Sequence, residues 1–271
     1  MINLSNSNEH TLSIRVHADG FCFAVHNPRN DSEYLFRPYP IDTTKPITAN
    51  LKNAIEELEL LNQSYQHTYL QIADGRYAIT PKEFYSEQSA RGLFAPNFTH
   101  IADRELILHN EVGDDNPAII LFGIDRSLHK LVHAHFTDVH IYHSITSLAR
   151  FSIGKSTESH LPYCMVVIDS KEVTFLCVSN EEPMLVNTFP YSDLSDILFY
   201  ILNCWQTLGL SQENVPLWVA GRNRQSTAFI KEAKTFIHTV AQVSPSNEFH
   251  ASELSRIPNI PFDLQALIAC E

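Results

Sequence analysis

The same order of predicted elements occurs twice along this chain. A β-hairpin, a third strand, a helix and a further strand are predicted over residues 12–73, and again over 164–221. A repeat of this length indicates a duplicated domain, because the units of solenoid proteins are shorter. The order therefore predicts an α/β protein with two related domains, although many α/β chains can be divided into similar series.

The first hairpin is the most sharply defined local element. In "SIRVHADGFCFAVHN" (13–27), apolar and polar residues alternate on both sides of Asp19-Gly20. Asp-Gly between alternating runs is a strong hairpin signal, because both central residues of a type I′ turn need positive φ. A tight hairpin near the start of a chain can also hold a phosphate in a nucleotide-binding fold. At this point the sequence leaves both interpretations open.

Hydrophobic periodicity assigns most of the remaining chain. In the first half we expect strands at 33–40, 68–73, 104–112, 118–125, 128–136 and 139–144, and helices at 50–65, 85–94 and 145–151. In the second half we expect a hairpin at 164–179, strands at 183–191, 216–221 and around 241–245, and helices at 192–210, 228–242 and 261–271. The polar segment 152–162 is the predicted linker, which gives domains of 1–155 and 156–271.

Five segments that span nearly the whole chain carry a family resemblance. They are "LSIRVHADGFCFAV" (12–25), "YAITPKEFYSEQSARGLF" (77–94), "VHIYHSITSLARF" (139–151), "LWVAGRNRQSTAFIKEA" (217–233) and "IPNIPFDLQALIACE" (257–271). They resemble an uncharacterised bacterial domain-of-unknown-function family with an actin-like ATPase fold. The resemblance implies two tandem ribonuclease H-like domains with mixed sheets opened by β-hairpins, distantly similar to pilus and secretion assembly proteins. It implies no established activity, since one fold supports many functions.

Charge and composition exclude several classes of function. The chain carries 19 Lys and Arg against 31 Asp and Glu, a formal net charge of −12. Nucleic-acid binding depends on neutralising phosphates with basic residues, so no nucleic-acid partner is expected. The longest apolar run, "ILFYIL" (197–202), is too short to span a bilayer, and the polar N-terminus has no apolar signal core. Five widely separated cysteines fit reduced thiols, so we expect a cytoplasmic protein.

The scarcity of glycine limits the kinds of nucleotide site. Eight glycines occur in 271 residues, and neither G-x-G-x-x-G nor G-x-x-x-x-G-K-[ST] is present. A Rossmann-type or Walker-type site is therefore excluded. The actin-like resemblance implies a different site between the halves, with two phosphate hairpins of the form Asp-x-Gly-[Thr/Ser] and a Gly-Gly turn after a strand.

The first phosphate hairpin departs from that pattern. With Gly20 on the motif glycine, Ala18 stands where the motif has Asp, and Phe21 stands where it has Thr or Ser. Asp19 is one position away, at the bend. Since a phenylalanine side chain cannot donate to a phosphate, we interpret this loop as a former phosphate hairpin that is kept for its turn.

The second and third loops keep one motif residue each. Asp169 matches the motif Asp, but the following "SKEV" has no glycine and places Glu172 where a phosphate would lie. Gly221 is one glycine of the expected pair, and the arginines after it, Arg222 and Arg224, can contact an anion or lie in a solvated loop. The remnants of a nucleotide site are Asp19, Gly20, Asp169, Ser170 and Gly221. Mg-ATP is the cofactor that the resemblance implies, and tight binding is not expected.

Histidines are concentrated before the predicted linker, at His129, His133, His135, His140 and His143. In the strand predicted at 128–136, alternate residues share a face, so His133 and His135 with Asp138 would form a partial metal-ligand set. The same residues also fit the polar face of a half-buried strand. No pattern supplies the remaining ligands, and we predict no metal site and no catalytic residue.

The sequence therefore favours a non-catalytic, actin-like cytoplasmic protein that acts as an interaction or assembly module with a degenerate nucleotide site. Its expected partner is another protein. The alternative is a divergent ATP-binding protein or ATPase that uses the interdomain cleft. A third hypothesis is a metal-dependent hydrolase that uses the histidine-rich segment.

Overall fold

Two five-stranded mixed sheets form the frame of the molecule. The structure is a computed structural model that describes residues 4–18, 20–99, 101–221, 224–249, 256–257 and 260–269. The first sheet contains β1 (Thr11–His17), β2 (Gly20–Asn27), β3 (Asn30–Pro40), β4 (His67–Ala73) and β8 (Val139–His143). The second contains β9 (Tyr163–Ile168), β10 (Glu172–Ser179), β11 (Glu182–Pro190), β12 (Leu217–Ala220) and β13 (Val240–Gln242).

The two sheets have the same topology. Their strand orders are β3-β2-β1-β4-β8 and β11-β10-β9-β12-β13. In each sheet the first strand pairs antiparallel with the second strand and parallel with the strand that follows the first helix. The repeated series of elements is therefore confirmed, and so is the mixed α/β fold class.

A third, smaller sheet is inserted into the first half only. It contains β5 (Tyr77–Pro81), β6 (Glu105–Val112) and β7 (Ala118–Asp125), in the order β5-β7-β6. The short helix α2 (Ala90–Phe94) covers it, and Phe94 packs with Ile119 and Leu121 in a separate apolar cluster. The insertion lies between β4 and the helix that follows β7. At the equivalent place in the second half, between β12 and the helix that follows it, the described residues contain no such sheet.

The outer faces of both large sheets are covered by α1 (Ile47–Glu57), α3 (Arg126–His135), α5 (Leu194–Thr207) and α6 (Arg224–Ala233). Helix α4 (Ser144–Ser159) packs on the opposite face of the second sheet, and the short helix α7 (Pro245–Glu248) follows β13. Helices α1 and α3 pack on the first sheet through Leu51 and Val132, and α5 and α6 pack on the second through Trp205 and Phe229. None of the helices in the described ranges is long and apolar enough to cross a membrane.

A last helix, α8 (Phe262–Ala269), returns from the second half to the first sheet. Its Leu264 and Leu267 pack with Ala24 of β2, on the face opposite to α1 and α3. Its Phe262 packs against Phe151 of α4, at an inter-ring distance of 5.1 Å. Helix α8 is therefore enclosed between the first sheet and α4.

The predicted strand at 128–136 is wrong, because this segment is the helix α3 (Arg126–His135). The Asp125 side chain accepts from the Ser127 backbone N–H and caps the helix, and Leu128 and Val132 form its buried stripe. Valine, alanine and phenylalanine at 132, 134 and 136 gave the sequence an accidental strand-like alternation. His133 and His135 consequently do not share a strand face.

The segment predicted as a linker, 152–162, belongs to α4 as far as Ser159. Its serines at 152 and 156 are buried, so their polarity did not indicate exposure. The division into 1–155 and 156–271 therefore falls inside a helix, and it stays a prediction. The predicted helices at 50–65, 85–94 and 228–242 are shorter in the structure, where they end at Glu57, begin at Ala90 and end at Ala233.

Candidate functional site

A cleft of about 280 Å³ lies between the two large sheets. It opens at the carboxyl ends of β1, β4, β9 and β12, which is where α/β sheets commonly bind ligands. Residues of both halves and of α8 line it, among them Arg15, His17, Asp74, Asp169, Glu172, Gly221, Asp263 and Gln265. Two of the predicted remnants, Asp169 and Gly221, thus line one cavity together with Glu172, whereas Gly20 and Ser170 are not among its lining residues.

A buried ion pair closes the bottom of the cleft. The Nε of Arg15 on β1 donates to Oδ2 of Asp263 on α8 over 2.8 Å, and both side chains are less than a tenth exposed. A second guanidinium nitrogen lies 3.5 Å from Oδ2 of Asp169. Burial alone would lower the pKa of Arg15, but Asp263 and then Asp169 outweigh it, so the pKa lies above its ordinary value. Arg15 is therefore a fixed cation that is already paired.

The motif aspartate of the second hairpin, Asp169, is engaged on both of its oxygens. The backbone N–H of Ser170 donates to Oδ1 over 2.7 Å, and Oδ2 lies 3.5 Å from Nε2 of His17. The Tyr191 hydroxyl donates to the Asp169 carbonyl oxygen over 2.5 Å and fixes the backbone of the turn. Asp169 thus links the second half to the β1 side of the cleft.

Three carboxylates converge on the same opening. Asp74 follows β4, Asp169 follows β9, and Glu172 begins β10. Burial raises the pKa of Glu172, and the nearby charge of Asp74 raises it further, against the opposing effect of His17. Burial is the larger of the two causes of this rise, and the negative charge of Asp74 adds to it.

Replacing Glu172 with glutamine is expected to stabilise the protein at neutral pH. The folded protein holds the Glu172 proton more tightly than the unfolded chain does, so the carboxylate costs stability above its folded pKa. We expect Glu172→Gln to raise the free energy of unfolding by less than about 1 kcal/mol, because solvent screens this half-buried group. The gain should vanish as the pH falls through the Glu172 pKa.

Urea unfolding of wild type and Glu172→Gln across the acidic pH range measures this difference. Glu213→Gln, at an exposed position, is the matched control and should follow wild type. A Glu172→Gln variant that is less stable than wild type at neutral pH would contradict the expectation.

The first hairpin lines the cleft through Arg15 and His17 of β1, but Gly20 and Phe21 of its predicted phosphate loop are not among the lining residues. Phe21 is 1% exposed and packs in the core of the first sheet, so its side chain cannot face a ligand. Gly20 lies in close contact with β3, where an added Cβ would meet the Tyr39 carbonyl oxygen at 2.6 Å. Asp19 lies outside the described residues. Gly20 is therefore required by the packing of the sheet.

Gly20→Ala is expected to destabilise the protein by about 1–3 kcal/mol, since the methyl group must displace the paired backbone of β3. The midpoint of guanidinium unfolding measures the loss. Gly92→Ala in α2 is the control, because an added Cβ there meets no atom within 4 Å and alanine favours helix. Equal midpoints for Gly20→Ala and wild type would contradict this structural role.

The third loop keeps its glycine for a local reason as well. Gly221 has φ +107°, and a Cβ there would lie 3.1 Å from the Ser226 hydroxyl of α6. Its carbonyl oxygen accepts from Nε2 of Gln242 over 2.6 Å. Arg222 lies outside the described residues, and Arg224 begins α6 and is not among the residues that line the cleft.

Sequence reasoning missed Arg15, Asp74 and Asp263 as residues of the cleft. Arg15 and Asp263 lie 248 positions apart, and their pairing depends on the return of α8 to the first sheet. The hypothesis of a metal held by His133, His135 and Asp138 is wrong in its histidines. Asp138 instead contacts His67 and His140.

The geometry of two equivalent sheets around a cleft agrees with the comparisons to known proteins. Residues 1–240 match the family model described as "Protein of unknown function (DUF3822)". The chain belongs to this family. A search of the curated proteins finds no match.

Similarity to solved structures shows that this chain has the actin-like ATPase fold. A Bacteroides thetaiotaomicron protein with that fold and unknown function is 29% identical, with full coverage of both chains and a TM-score of 0.86. The PilM–PilN type IV pilus biogenesis complex is 13% identical, with 96% and 98% coverage and a TM-score of 0.61. The ethanolamine utilization protein EutJ from Carboxydothermus hydrogenoformans is 8% identical, with 96% and 88% coverage and a TM-score of 0.50.

Proposed function

We propose that this DUF3822 protein is a non-catalytic, cytoplasmic member of the actin-like fold class that works as an interaction or assembly module. In this proposal, its cleft no longer has the motif residues that bind the phosphates of ATP in the actin-like fold. The observation that carries the proposal is the charge of the cleft. Four carboxylates line it, those of Asp74, Asp169, Glu172 and Asp263, and the buried cation among the lining residues, Arg15, is already paired with two of them.

The charges of the cleft oppose a polyphosphate. Asp74, Asp169 and Glu172 would each repel a triphosphate at close range, in surroundings where solvent screening is incomplete. Arg15 already contacts Asp263 and Asp169, so an incoming anion would compete with these two carboxylates for the guanidinium. Binding of a triphosphate would therefore start from an unfavourable electrostatic balance.

The backbone and the space of the cleft also support the proposal. Phosphate loops bind through free backbone N–H groups, but the N–H of Ser170 donates to Asp169. The cleft of about 280 Å³ lies just below the range typical of small-molecule sites, roughly 300–1,000 Å³. Both features favour a structural role for the cleft residues, in contacts between the two halves, over a role in nucleotide binding.

The expectation of a protein partner rests on analogy of fold and on exposed aromatic surface. PilM shares this fold and was solved as a complex with PilN. On this chain, Phe84 beside the inserted sheet and Phe199 on α5 are 63% and 67% exposed. Aromatic side chains of this kind are enriched in protein interfaces. Comparing Phe84→Ser and Phe199→Ser with wild type in co-purification from native cells tests which surface a partner uses.

Thermal unfolding with Mg-ATP tests the loss of nucleotide binding. A ligand at 100 times its dissociation constant adds about 2.7 kcal/mol, which for a chain of this size raises the melting temperature by roughly 5–10 °C. We expect no rise with Mg-ATP beyond that seen with Mg²⁺ alone.

The alternative function, a divergent ATP-binding protein or ATPase, predicts the opposite result. A clear rise in melting temperature that requires ATP and disappears in Asp169→Ala would contradict the non-catalytic proposal and support that alternative. Ser195→Ala, in the first turn of α5, is a control that lies outside the cleft.

A further inference from the structure

Two imidazoles and one carboxylate meet at the end of the first sheet that lies opposite to the cleft. His67 is the first residue of β4, His140 lies in β8, and Asp138 immediately precedes β8. One ligand atom of each side chain lies within 4.8 Å of the others. All three side chains reach solvent, with exposed fractions of 37%, 46% and 49% for His67, His140 and Asp138.

The carboxylate stands between the two rings. Nδ1 of His67 contacts Oδ2 of Asp138, and Nε2 of His140 lies 3.2 Å from Oδ1 of the same residue. The centroids of the two imidazole rings are 6.2 Å apart. One ligand atom from each of the three side chains therefore lies in one small region at the surface.

The sheet itself places these groups together. Strands β4 and β8 are parallel, with Tyr69 opposite His140, so His67 lies on the same face one strand period earlier. Asp138 has a left-handed backbone with φ 47°, and its carbonyl oxygen accepts from the Thr68 N–H over 3.1 Å. The backbone of each ligand is thus fixed before any ion binds, and only side-chain torsions need to adjust.

We propose that His67, Asp138 and His140 form a binding site for a divalent transition-metal ion, with Zn²⁺ as the ion of choice. Imidazole and carboxylate are standard zinc ligands, and in a tetrahedral site neighbouring N and O ligand atoms lie about 3.3 Å apart. Both contacts of Asp138 are already close to or inside that spacing. Rotation of the two exposed rings brings the imidazole nitrogens within reach of the same ion. Water completes the coordination.

A second pair of histidines on this chain is an alternative location for a metal ion. His129 and His133 lie one turn apart on α3, with ring centroids separated by 4.4 Å. Two imidazoles at this helical spacing can also bind a metal. Among the described residues, however, no third ligand from a His, Cys, Asp or Glu side chain lies close enough to complete a site with them. Experiments on the proposed site must separate these two locations.

Zinc titration of the full chain tests the proposal. The protein is first freed of metal with a chelator. It then competes with a chromophoric indicator for added Zn²⁺, and the absorbance of the indicator reports how much Zn²⁺ the protein binds. We expect one equivalent of Zn²⁺ to bind, and we expect His67→Gln and His140→Gln each to weaken it at least about tenfold. The double variant His129→Gln/His133→Gln should bind as wild type does.

Co²⁺ provides a second readout that reports the ligand set directly. We expect visible absorption typical of a four-coordinate Co²⁺ site in wild type, and its loss in His140→Gln, while circular dichroism shows that the variant stays folded. The proposal is overturned if wild type binds no Zn²⁺. It is also overturned if binding survives in both single variants or is lost in the α3 double variant. None of these results depends on whether the cleft binds ATP.

Discussion

Asp263→Ala is expected to lower the free energy of unfolding by about 3–5 kcal/mol. Among the carboxylates of the described residues, the substitution leaves the buried Arg15 guanidinium with the more distant Asp169, 3.5 Å away and 42% exposed. A buried charge without a close partner is costly because the protein interior solvates it poorly. Guanidinium unfolding followed by circular dichroism measures the loss.

Two controls separate the ion pair from other effects of this substitution. Asp115→Ala removes an exposed carboxylate in a loop and should change stability by less than about 0.5 kcal/mol. The double variant Arg15→Leu/Asp263→Leu replaces the pair with apolar side chains and should recover most of the loss. A change below about 1 kcal/mol in Asp263→Ala would contradict the role assigned to the pair.

Leu264→Ala is expected to destabilise the protein by about 2–5 kcal/mol. Leu264 is fully buried between α8 and the first sheet, where it packs with Ala24 and Leu267. Removing three of its carbon atoms leaves a cavity that the rigid sheet cannot fill. The same unfolding measurement reports the loss, and faster hydrogen exchange of α8 amides would show that the helix docks less tightly.

Ile268→Ala on the same helix is the matched control. Its side chain is only half-buried at the edge of the same cluster, so the expected loss is about 1 kcal/mol or less. Equal losses at the two positions would show that α8 is not docked as described.

The repeated sheets could be predicted because their signals are local. In the hairpin around Gly20, apolar and polar residues alternate along both strands. The start of α5 is predicted by Asp193, which forms a capping box with Asp196. The whole-chain resemblance to an actin-like family was confirmed as well.

The remaining features depend on contacts that a single sequence does not encode locally. The α3 segment carries both a helical stripe and a chance alternation of apolar residues, and tertiary packing decides between them. The pairing of Arg15 with Asp263 follows from the return of α8, 248 positions later. The meeting of His67 with His140 follows from the register of β4 and β8, which the strand patterns alone leave undetermined.

Direct measurement of ATP retention tests the central claim, that the cleft has lost its nucleotide chemistry. In equilibrium dialysis of the wild-type chain against radiolabelled ATP and Mg²⁺, we expect equal ATP concentrations on both sides of the membrane. Retention of one equivalent of ATP by wild type, lost in Asp169→Ala, would contradict the account.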